Sequence, residues 1–145
     1  MARMTRLGCL AVTVALLATA PAAAEERPMF QSGVGQFVSA TDFVSEGIET
    51  HLGAFDEAGS AQFSPTSEPG VFQVEAWAVH TAPNGDQLFE VLSGRLNLLT
   101  GSGTATATYV GGTGRFADAS GSATITLQLF PNGTFEYVGE GTIDY

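Results

Sequence analysis

The chain has 145 residues, with fifteen acidic side chains against five basic ones for a formal charge of −10, and one cysteine. That charge repels nucleic acid and anionic membrane surfaces, and the length supports one domain with its own core but not two. One cysteine cannot build a disulfide framework, and without lysine there is no residue for Schiff-base chemistry.

Residues 1–24 carry Arg3 and Arg6, an apolar run from Leu7 to Ala20, and then Pro21-Ala22-Ala23-Ala24 ahead of Glu25-Glu26. This is the pattern of a cleaved secretory signal, and it predicts a secreted or periplasmic protein beginning at Glu25. The apolar run is short for a bilayer core of ~30 Å, so no stable membrane insertion is expected after cleavage. Cys9 lies at the start of that run and not just after it, the wrong end for a lipid anchor. The remaining chain keeps Arg27, Arg95 and Arg115 against all fifteen acids, a charge of −12 that favours solubility after export.

From residue 25 onward Gly, Thr, Ser, Val, Phe and Leu dominate, turn signals recur about every ten residues, and no stretch holds a helical apolar period. Strands are predicted over 33–40, 46–55, 61–64, 71–81, 87–98, 104–110, 122–129 and 134–143, an all-β class. Two turns read Pro-Asn-Gly, at 83–85 and 131–133. Proline suits the first turn position and glycine the left-handed residue of a three-residue loop with a bulge.

That loop fixes register. In the last hairpin it sets Ala123, Ile125, Leu127 and Leu129 on one face with Phe135, Tyr137, Gly139 and Gly141, whereas a two-residue loop would set Glu136 and Glu140 against the leucines. In the first it gathers Phe72, Val74, Ala76, Ala78 and His80 with Leu88, Glu90, Leu92, Gly94 and Leu96. The other face holds Trp77 and Val79 with Phe89 and Val91, so either a partner covers the outside or the barrel is wide enough for a ligand. Small residues on the inner face, Ala76, Ala78, Gly94, Gly139 and Gly141, leave room for one; sharp bends at strand crossings are the structural alternative.

Thr50-His51-Leu52-Gly53, Asn84-Gly85-Asp86-Gln87-Leu88, Gly111-Gly112-Thr113-Gly114-Arg115-Phe116-Ala117 and the closing Gly141-Thr142-Ile143-Asp144-Tyr145 resemble an uncharacterised group of exported bacterial domains. The Gly-Gly-Thr-Gly-x-Phe segment is similar to that of allene oxide cyclases and dirigent proteins. The resemblance implies a closed, calycin-like antiparallel β-barrel of about eight strands, a trimer, and apolar or aromatic small molecules handled inside the barrel. No catalytic residue of those families carries over to a position here.

Residues 112–117 also fit the dinucleotide fingerprint, but the next strand follows too soon for the helix a pyrophosphate needs. Asn132-Gly133-Thr134 forms a glycosylation triplet that the hairpin already explains, and no run has calcium-loop spacing. No cofactor and no metal are expected. His80 and Glu90 lie diagonally across the first hairpin and suit acid/base work if buried together; the favoured reading sets both at a wet barrel mouth. Glu49 and His51 are two apart on one strand and therefore share a face, as a metal or proton-transfer pair would use, against a favoured reading of His51 as a structural bond to a neighbouring strand. Glu75 and Arg95 form a surface pair beside Trp77.

The leading expectation is an exported, non-catalytic barrel that binds a small apolar or aromatic molecule or serves as a structural module, with Phe72, Trp77, Phe89 and Tyr137 sensing occupancy. The alternative is an allene oxide cyclase-like or dirigent-like cyclase or isomerase acting inside the barrel through His80 and Glu90. A third reading is a trimer without a cavity, joined through Trp77, Val79, Phe89 and Val91.

Overall fold

The computed structural model describes residues 25–145. The expected leader over 1–24, with Cys9, lies outside the described residues.

Alternation of inward and outward side chains generates eight strands: β1 (Arg27–Phe37), β2 (Asp42–Glu49), β3 (Gly53–Pro65), β4 (Val71–Thr81), β5 (Gln87–Asn97), β6 (Ser102–Gly112), β7 (Ser120–Leu129) and β8 (Thr134–Asp144). Each pairs antiparallel with the next, and β8 pairs with β1, so the sheet closes into a barrel and leaves no free edge. The only helical turn among the described residues is a 3₁₀ turn at Gly114–Phe116, far short of a dinucleotide-binding helix. No helix among them is long and apolar enough to cross a membrane.

Both Pro-Asn-Gly hairpins adopt the expected register. Leu127 faces Tyr137 and Leu129 faces Phe135 in one; Ala78 faces Glu90 and His80 faces Leu88 in the other. Gly85 and Gly133, at φ +89° and +83°, supply the left-handed residue that each bulged loop requires.

The first three strands differ from the expectation: β1 spans Arg27–Phe37 where 33–40 was expected, and β2 begins at Asp42 where 46 was expected. The run expected over 46–55 breaks at Thr50–Leu52, where Gly53 takes φ +79° and Thr50 bonds the backbone of Phe30 on β1 through both its amide and its hydroxyl. Glu49 and His51 therefore do not share a strand face. The strand expected over 61–64 begins at Gly53, because Phe55, Glu57, Gly59, Ala61 and Phe63 continue one inward alternation.

The inner-face glycines serve close approach. A Cβ on Gly33 would lie 2.7 Å from the Tyr137 hydroxyl, one on Gly139 would lie 2.5 Å from Ile125 Cδ1 and 2.8 Å from Gln31 Cγ, and one on Gly59 would meet the Phe43 ring and the Trp77 carbonyl. Rings and the Gln31 stem cross the lumen over them. Of the five small residues expected to leave room, only Ala76 borders the cavity described below.

One end of the barrel is sealed. Phe116 and Leu88 are fully buried there, Tyr145 packs on Phe116 and His51, and the Arg27 guanidinium lies 4.6 Å from the Tyr145 ring centre. At the other end, near the loops 38–41, 66–70, 98–101 and 130–133, Phe37 touches Phe43, Phe63 and Phe135 with ring centres 5.6–6.0 Å apart.

Candidate functional site

Between that phenylalanine cluster and the middle of the barrel is a cavity of about 110 Å³. Phe37, Phe43, Phe63 and Phe135 form much of its wall, and Gln31, Glu57, Glu90 and Tyr137 bring polar groups to it. All four polar residues are at most 7 % exposed, because each occupies an inward position of its strand.

Register builds the polar cluster. Glu57 on β3 is the direct cross-strand partner of His80 on β4, and Glu90 on β5 stands opposite Ala78, one inward step from His80. The His80 Nε2 lies 3.4 Å from Glu57 Oε1 and 3.4 Å from Glu90 Oε1. The imidazole is wholly buried and stacked on Phe55, ring centres 4.3 Å apart and planes 8° from parallel. Ser45 Oγ and Tyr137 OH both donate to Glu57 Oε2, the latter at 3.1 Å, which leaves Oε1 turned to His80.

Burial by itself would lower the His80 pKa. The Glu90 charge and the contacts with Glu57 outweigh it and push it up to about 10, so the imidazole is cationic at neutral pH. Burial pushes Glu57 the other way, yet His80, Ser45 and Tyr137 hold its carboxyl below the usual range. Burial raises the Tyr137 phenol, reinforced by the Glu57 charge, so its hydroxyl stays a donor. The Tyr109 phenol, whose hydroxyl reaches Met29 Sδ, is raised by burial and then by Glu90 and Glu49. Among the described residues, Gln31 Oε1, Glu90 Oε2 and both His80 ring nitrogens are buried without a hydrogen-bond partner. A cationic histidine cannot take a proton, so the bases available to a bound molecule are the carboxylates.

His80 and Glu90 are thus together and buried, not at a wet mouth. The hairpin end that carries them is the sealed one, where Thr113 bonds the backbone of Gln87 and both Phe116 and Leu88 are fully buried. Tyr137 borders the cavity; Phe72 faces inward beyond it, and Trp77, 54 % exposed, and Phe89 stand on the outer face. Glu49 is buried inside, its Oε1 accepting the His51 amide at 2.8 Å, and burial raises its pKa above the usual carboxylate value. His51 is instead structural: Nε2 donates to the Pro28 carbonyl of β1 at 2.8 Å and Nδ1 accepts from Tyr145 at 3.2 Å. Arg95 pairs with Glu68 at 2.9 Å and not with Glu75, which accepts from Ser93 and Gln73.

Glu57, Ser45 and Gln31 escaped the sequence reading. For Glu57 the signal was present, since it shares parity with Phe55, Ala61 and Phe63. Comparison of the chain with protein-family models, with curated proteins and with solved structures finds no match.

Proposed function

We propose that the protein is an exported barrel that binds a small apolar or aromatic molecule in its lumen, the polar end of that molecule meeting Glu90 and Gln31. The observation that carries this reading is an aromatic-walled cavity whose bordering polar residues hold unpartnered acceptors, Glu90 Oε2 and Gln31 Oε1. A pocket lined by apolar rings with a few convergent polar groups suits such a ligand. A dry cavity of roughly 150 Å³ admits benzene, so about 110 Å³ limits the ligand to one ring or a short chain at most. The closed eight-stranded barrel is the architecture implied by the resemblance to allene oxide cyclases and dirigent proteins, which supports a lumenal role.

The test is thermal unfolding against a panel of one-ring amines, phenols and alcohols. Some members raise the Tm of the native protein and fail to raise that of Ala76→Leu, which fills the cavity; a panel without effect on the native protein ends the reading. Trp77 fluorescence is a poor reporter because the indole lies outside.

A second reading is cyclisation or isomerisation of the bound molecule, favoured by two buried carboxylates bordering the cavity with the His80 cation 3.4 Å behind them. Glu90 would take the proton, and Tyr137 would turn its hydroxyl from Glu57 to the developing oxyanion. Glu90→Gln that still binds the ligand but no longer converts it supports this reading, and equal conversion by both proteins ends it.

A further inference from the structure

We infer that Glu57, His80 and Glu90 form a site for one divalent cation of the zinc class deep in the lumen. This goes beyond the ligand-binding reading and stands without it.

The distances carry the inference. One ligand atom from each residue lies within 4.8 Å of the others, all three residues being buried. The two 3.4 Å contacts are long for a charge-assisted hydrogen bond of about 2.7–2.9 Å. They equal the edge of a tetrahedron, about 3.3–3.4 Å, around an ion with bonds of about 2.0–2.1 Å to nitrogen and oxygen. Two edges of the donor triangle therefore already match a tetrahedral ion, and the third, between the two carboxylates, lies within 4.8 Å and closes as the ion draws them in. His80 Nε2 and Glu90 Oε2 have no hydrogen-bond partner in the protein, and an incoming ion takes the place of the Nε2 proton, which leaves to solvent because only a neutral imidazole ligates a metal.

The donors have an ordered surround, as metal ligands require. Ser45 and Tyr137 hold Glu57 Oε2 and aim Oε1 at His80, while Phe55 fixes the imidazole plane by stacking. His80 Nδ1 has no acceptor, so the orientation is built on Glu57 and on the stacked ring.

Donor chemistry selects the ion. One imidazole with two carboxylates and no thiolate suits zinc and its neighbours in the first row, whereas calcium and magnesium prefer six or more oxygens, waters included. Two negative carboxylates balance a doubly charged ion where a hydrophobic lining would otherwise make burial costly. Glu57 and Glu90 border the cavity and His80 does not, so the coordination position left without a protein donor faces the cavity.

The experiment uses purified, tag-free protein stripped with chelator and titrated with Co²⁺ alone. Expected are one equivalent bound, intense visible bands of a four-coordinate ion, and displacement by Zn²⁺. His80→Gln and Glu90→Gln each weaken binding by more than about 100-fold, because even outer-sphere partners are worth 10–100-fold. Ser45→Ala, an outer-sphere change, weakens it by about tenfold. Absence of stoichiometric binding by folded native protein overturns the inference, as does binding that the His80 and Glu90 variants leave unchanged, which places the ion on surface acids. Should those variants not fold, X-ray absorption of the Co²⁺-loaded native protein decides: a shell with one imidazole nitrogen supports the site, and a shell of oxygens alone overturns it.

Discussion

Glu57 and His80 face one another directly across β3 and β4, and this pairing places a carboxylate and an imidazole with no exposure of the ring at the heart of the barrel. Glu90 completes the group from β5. Removing one partner of a buried ion cluster leaves the others uncompensated, at a cost of about 3–5 kcal/mol. His80→Ala, with chelator present, is therefore expected to lose that much in urea denaturation. The triple change Glu57→Met, His80→Leu, Glu90→Leu removes every charge at once and is expected to lose far less, or to gain.

The pH profile of stability carries a second expectation, centred on Glu49. Burial raises its folded pKa above the usual 4.5, so the native state holds that proton more tightly than the unfolded chain does. The stabilisation from this proton is complete at pH values below 4.5 and is lost as pH rises through the folded value. Glu49→Gln keeps an acceptor for the His51 amide and has no proton to lose. Unfolding free energies of the two proteins, measured in urea across acid to neutral pH, should diverge in favour of the variant as pH rises above 4.5.

Gly59 lies beneath the Phe43 ring and against the Trp77 carbonyl, with no space for a methyl group. Gly59→Ala forces a shift of backbone or ring, and overpacking of this kind costs about 1–3 kcal/mol. Chemical denaturation of the variant checks the value.

Phe135 is 5 % exposed and packs against Phe37, Phe43 and Tyr137 at the cavity wall. Phe135→Ala is expected to lose about 3–5 kcal/mol, since large-to-small changes in a core leave unfilled volume. Among proteins still folded, the variant should accept two-ring compounds that the native cavity refuses, as read by thermal shift.

Architecture was legible where turn chemistry dictates geometry. Proline, asparagine and glycine at 83–85 and 131–133 set loop length, loop length set register, and register put Leu127 against Tyr137 and Ala78 against Glu90. Thr50-His51-Leu52 has no proline or asparagine, and the inward parity of Glu49 continues in Phe55 across it, so the break between β2 and β3 left no trace in the alternation. His80 and Glu90 were legible as a pair because one hairpin joins them. Glu57 was not, since the longer connection at 66–70 does not fix the register of β3 against β4, and an acid at an inward position opposes the usual pattern. Trp77 and Phe89 show the opposite limit: a large ring suggests a lumen, but strand parity assigns these two to the outside.

Arg27 and Tyr145, at the two chain ends of the barrel, meet at its closed pole, opposite the cavity. Anything fused to either terminus therefore projects away from the end of the barrel that holds the cavity. The barrel can be immobilised on a surface or displayed from a carrier by its start or its finish with its phenylalanine-lined pole left free to solution.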